Sequence, residues 1–160
     1  MSTLFNSLER GEGQNAASIP KIQILPCAHI QTWPGSRLGK MSGAILVRPN
    51  LQWATIYNTD QSRAYSEKAI ETVHGRKFAF QFSGFHPGDS EDLRRFLGVT
   101  DWVPFIARVV DAHGLVRIVG TDKFGIEMNY ESMIAAEMGG KRGTMITFSG
   151  ELPVPSALEY

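Results

Sequence analysis

Disulfides are excluded within this chain of 160 residues, because it carries a single cysteine, Cys27. Its shape must rest on packing, and a lone thiol suits a reducing compartment. Charge of one sign is missing too: 16 basic residues balance 16 acidic ones. Proteins whose main partner is a polyanion usually carry a basic face. Here the basic pairs Arg76-Lys77, Arg94-Arg95 and Lys141-Arg142 are short and scattered, so no specific nucleic-acid binding is expected. No apolar run approaches the roughly 20 residues that a membrane-crossing helix needs, and no membrane partner is expected. Met1 to Gly11 lacks the basic start and apolar stretch of a signal peptide. Synthesis and folding in a cytosol follow as the expectation.

Motifs that carry chemistry are equally scarce. His29, His74, His86 and His113 stand far apart without metal-like spacing. Gly11-x-Gly13-x-x-Ala16 has the letters of a dinucleotide fingerprint, but no strand precedes it, so it reads as linker. No Gly-x-Ser-x-Gly elbow occurs, and Cys27 beside Pro26 reads as a small hydrophobe. Asp89, Glu91 and Asp92 read as helix-start residues. The expectation is a protein without catalytic residues, metal or cofactor, and not an enzyme.

What the chain does have is strand pattern. Residues 1–18 read as a flexible N-terminal arm, with one apolar turn (Leu4, Phe5, Leu8) before the connector Gly11-Glu12-Gly13-Gln14-Asn15. Residues 19–160 read as a single β domain. Ile22 and Ile24 alternate with polar neighbours between Pro20 and Pro26. Gly43–Arg48 and Trp53–Tyr57 are short strands, and Arg63–Thr72 is a polar strand suited to an edge. In Lys77–Phe85, Phe78, Phe80 and Phe82 share one face, which belongs in a core. A base-stacking platform is the weaker reading, because the opposite face is the small and polar one.

One helix is expected after Pro87-Gly88. Asp89 or Ser90 would cap it, Leu93, Phe96 and Leu97 would form its apolar stripe, and Gly98 would close it. Pro104–Val110 and Leu115–Val119 flank a hairpin turn at Asp111-Ala112-His113-Gly114. Lys123–Tyr130 alternates, and Thr144–Ser149 is a last strand with Ile146 and Phe148 inward. Between these two, Ser132–Met138 fits either a short helix or an extended hairpin arm. Runs of strands with one helix favour a mainly β fold: an antiparallel barrel or sandwich of seven to eight strands with one short flanking helix.

The C-terminal half carries a family pattern. Asp111, Gly114, Arg117 and Gly120 in a hairpin, then Gly143, Ile146, Phe148, Gly150 and Glu151 in a closing strand, then a terminal Tyr160, resemble small structural proteins of Bacteroidetes phages and prophages. Antiparallel strands with one flanking helix are also similar to the tail-tube family of phage tails. The resemblance implies a virion component, made in the host cytoplasm, that forms rings or stacked rings with itself and contacts other virion proteins. DNA would pass through such a tube. Leu4, Phe5 and Leu8 on the arm, and Met133, Ile134, Met138, Lys141 and Arg142 on the late hairpin, are then the candidate assembly contacts. The alternative for Met133, Ile134 and Met138 is that they cap their own core. Other readings are a head–tail connector, tail terminator or baseplate component, or a soluble β-sandwich binding module marked by an exposed Trp33, Trp53 or Trp102.

Overall fold

A computed structural model of the chain describes residues 21–58, 64–110, 114–136, 138, 140 and 142–159. The arm residues Leu4, Phe5 and Leu8, the turn Asp111–His113 and Lys141 lie outside them.

The alternation around Ile22 becomes strand β1 (Lys21–Pro26), followed by a single 3-10 turn at Cys27–His29. Five short strands come next: β2 (Ile30–Thr32), β3 (Ser36–Arg37), β4 (Lys40–Met41), β5 (Leu46–Val47) and β6 (Ala54–Ile56). A long hairpin joins β7 (Ala64–Thr72) to β8 (Gly75–Pro87) and leads into helix α1 (Glu91–Val99). The chain then forms β9 (Phe105–Val110), β10 (Val116–Val119), β11 (Glu127–Ile134), β12 (Arg142–Leu152) and β13 (Ala157–Glu159). Seven of these strands have four residues or more: β1 and β7–β12.

They build a seven-stranded sheet in the order β3-β4-β13-β10-β9-β1-β6 and a four-stranded sheet in the order β11-β12-β8-β7. A two-stranded ribbon, β2-β5, stands beside them. Pairing is antiparallel except for the single bridge of β13 with β4, and neither large sheet closes into a barrel. The arrangement is a mainly β, mostly antiparallel fold with one short helix.

The two large sheets and the helix share one core. Ile22, Ile24, Ile56, Ala107 and Val109 of the first sheet meet Phe80, Phe82, Ile146, Phe148 and Leu152 of the second, with Leu93, Phe96 and Leu97 of α1. Phe82 and Phe148 stack with centroids 5.1 Å apart, and Phe105 meets Phe148 edge-on at 6.4 Å; such pairs add about 0.5–1.5 kcal/mol beyond burial. The seven-stranded sheet is covered on its other face too, where Leu25, Ile106 and Ile118 pack with Ile30 and Ile45. Double coverage explains why β9 is a nearly continuous apolar run rather than an alternation.

The helix starts as its sequence implies. Ser90 caps it, its Oγ accepting from the Leu93 amide at 3.1 Å. Its end differs from expectation: Gly98 stays inside the helix, which runs to Val99 with Thr100 as C-cap. Arg94 and Arg95 turn back toward the acidic start, Arg94 to Asp89 at 2.8 Å and Arg95 to Glu91 at 3.1 Å.

Two strands differ from their expected bounds. The strand expected over Lys123–Tyr130 begins only at Glu127. Ahead of it the Thr121 Oγ1 accepts from the amides of Lys123 and Phe124, which bends the chain, and Phe124 is half exposed. Gly43–Arg48 pairs only at Leu46–Val47. After β12, Pro153 and Pro155 interrupt the ladder, and β13 crosses to the other sheet and pairs with β10.

Candidate assembly surface

Within the segment 131–143, the described residues form the arms of an extended hairpin and not a helix: β11 ends at Ile134 and β12 begins at Arg142. β11 runs through Ile134 and pairs with β12 in the register Tyr130 to Ile146, Ser132 to Thr144 and Ile134 to Arg142. β12 in turn pairs with β8, Gly143 opposite Pro87. A tie from the Gly88 amide to the Arg142 carbonyl, 3.0 Å, holds the arm against the lead-in to α1.

Directly opposed residues share a face. Met128, Tyr130, Ser132 and Ile134 therefore lie on the face of Phe148 and Ile146, and Glu127, Asn129, Glu131 and Met133 lie on the other. Met128 reaches the core, but the strand then outruns it: from Asn129 to Ile134 every residue is exposed. Ile134 is 77% exposed, Met138 fully so, and Tyr130 and Met133 more than a third. Capping of their own core is thus not what Met133, Ile134 and Met138 do.

The structure brings Met133, Ile134 and Arg142 together. With Gly88, Asp89, Arg94, Ser132, Gly143 and Thr144 they line a cleft of about 110 Å³ at the start of α1. The Arg94 guanidinium, hydrogen-bonded to Asp89, holds that carboxyl below its ordinary range.

Edges differ in how they are protected. The outer edge of β11 pairs with no strand among the described residues. The opposite edge, β7, carries Glu67, Lys68 and Glu71, and Ser156 binds Glu67 through its amide (3.0 Å) and its hydroxyl (2.6 Å). Charges and covering contacts blunt an edge against pairing. The last three residues of β11, Ser132-Met133-Ile134, have neither charge nor proline; its charges, Glu127 and Glu131, come earlier.

Two exposed residues stand out by their backbone as well as by their exposure. Leu38 and Trp102 adopt left-handed backbone, φ 53° and 61°, and are 93% and 88% exposed. For a non-glycine residue this conformation costs roughly 1–2 kcal/mol. Trp33 and Trp53 are half-buried against the second core, Trp53 beneath the Arg108 guanidinium at 4.2 Å. The sequence signal for Leu38 is Ser-Arg-Leu-Gly-Lys-Met, a two-residue turn with glycine second.

Cys27 and His86 each bond to a backbone carbonyl distant in sequence. The Cys27 thiol donates to the Thr121 carbonyl at 3.3 Å, and burial followed by the Asp122 charge pushes it up to about 11. The His86 Nδ1 lies 2.7 Å from the Tyr57 carbonyl. Burial, then the charge of Arg48, lowers the pKa of His29. Among the described residues, no three His, Cys, Asp or Glu side chains group as a metal site requires, and no helix is long and apolar enough to cross a membrane. No protein-family model, curated protein or solved structure matches the chain.

Proposed function

We propose that the chain is a structural subunit of a phage tail-like tube, assembling into rings through protein–protein contacts. The observation that carries this reading is the edge of β11, unpaired among the described residues, with Tyr130, Met133, Ile134 and Met138 exposed beyond the core. Exposed apolar residues on an unpaired edge are a liability for a lone molecule and a resource for an assembling one. Stacking copies would bury them and satisfy the open backbone donors and acceptors. The resemblance of the Asp111–Gly120 hairpin and Gly143–Glu151 strand to phage structural proteins supports the same reading. Electron microscopy of purified protein and of particles tests it. Rings or tubes, with hundreds of copies per particle, are the expected result; six or twelve copies would point to a connector instead.

Trp102 favours a second reading, a binding module for a sugar or peptide. A tryptophan left 88% exposed on strained backbone is suited to stack on a ligand. Titration of its fluorescence with oligosaccharides and peptides tests this reading, and a saturable shift lost in Trp102→Ala would support it.

A further inference from the structure

The β3–β4 hairpin turns on Leu38 and Gly39, whose φ values of 53° and 77° are those of a type I′ turn. Asn, Asp or Gly would hold the first position at lower cost. A leucine stands there instead and buries almost nothing within its own chain. A local rule broken without a local gain points to a contact made elsewhere. Beside it, Arg37 is exposed and joins no ion pair among the described residues.

The outer face of β11 has the complementary character. Glu127, Glu131 and Met133 lie on it, all exposed, and neither glutamate joins an ion pair among the described residues. The strand carries no basic residue. Glu131 and Met133 are two apart, about 7 Å along a strand, a separation that neighbouring Arg37 and Leu38 side chains can bridge.

We propose that the Arg37–Leu38 tip of one copy docks on the β11 edge of a second copy, Arg37 against Glu131 and Leu38 against Met133. The proposal rests on the subunit reading above and names the contact that reading needs. The two patches differ, so the contact is of the kind that propagates head-to-tail into a ring or filament, as the subunit reading requires.

Sedimentation velocity of the full chain tests it, with far-UV circular dichroism as the folding control. Arg37→Glu and Glu131→Arg are each expected to weaken self-association about tenfold, and the two together to restore it to near wild type. Leu38→Asn is expected to raise the melting temperature while weakening assembly, a pair of opposite signs that a merely structural leucine would not give. If wild type assembles but is indifferent to these substitutions, or if the two charge reversals simply add, the docking is wrong and the subunit reading survives. If wild type stays monomeric at every concentration, the subunit reading itself falls.

Discussion

The ring of Phe85 lies against Gly143, on the strand hydrogen-bonded to its own, and occupies the space where a side chain at 143 would stand. A Cβ there would come within 2.6 Å of the Phe85 Cζ and would also overlap the His86 carbonyl oxygen. Phe85 is buried although it points away from the Phe80–Phe82 face. The glycine lets the arm and β8 stay in close contact where the hairpin leaves the core. Gly143→Ala is expected to cost about 2–3 kcal/mol, as overpacking does, measured by urea unfolding.

Gly98 should respond the other way. It lies within α1, exposed, with nothing within 4 Å of an added Cβ and without a left-handed φ. Gly98→Ala removes the entropic cost of glycine in a helix and is expected to stabilise the chain by about 0.5–1 kcal/mol. The same urea titration reads it.

Cys27 gives stability a pH dependence. Its thiol is pushed from 9.0 to about 11, first by burial and then by the charge of Asp122. Between those values the unfolded chain gives up a proton that the folded chain keeps. The contribution is therefore whole below pH 9 and lost as pH rises toward 11. Tyr65, pushed up to about 12 chiefly by burial, acts above its ordinary 10, so the window from 9 to 10 reports Cys27. The urea midpoint should fall across that window in wild type and less steeply in Cys27→Ala. At pH 8 a disulfide reagent should label the folded thiol slowly and the unfolded one at once.

Arg108 ties β9 to β13 and to the segment just ahead of β6. Its guanidinium grips Glu159 of β13 through two bonds of 2.8 and 2.9 Å and lies over Trp53 at 4.2 Å. Both side chains of the ion pair are about a fifth exposed. Arg108→Met leaves the largely buried Glu159 carboxylate without its charged partner. A loss of about 1–3 kcal/mol is expected, with Glu159→Gln smaller. Calorimetric melting measures both.

Much of this architecture could be read from residue order, because period and burial agree there. Phe80 and Phe82 are buried as their alternation implies, and the Ser90 cap and the Leu93, Phe96, Leu97 stripe fall where helix rules put them. The start of β11 was misplaced because the Thr121 hydroxyl captures two backbone amides and outweighs the alternation at Phe124. Strands β3, β4 and β5 have two residues each, too few to show any period. For the candidate surface, Met133, Ile134 and Arg142 were found as members of one late arm. Leu38 is not legible there, because what marks it is backbone conformation with exposure, and apolar residues ordinarily signal the interior; Trp102 is named from sequence only as one of three tryptophans whose exposure would mark a binding module.

Sedimentation velocity of wild type beside a Met133→Lys, Ile134→Lys double variant tests the role of the outer β11 edge most directly. Both side chains are exposed, so the substitutions leave the fold intact by circular dichroism. Wild type should form concentration-dependent oligomers and the variant should sediment as a monomer. A wild-type chain that remains monomeric, or a variant that assembles equally well, would contradict it.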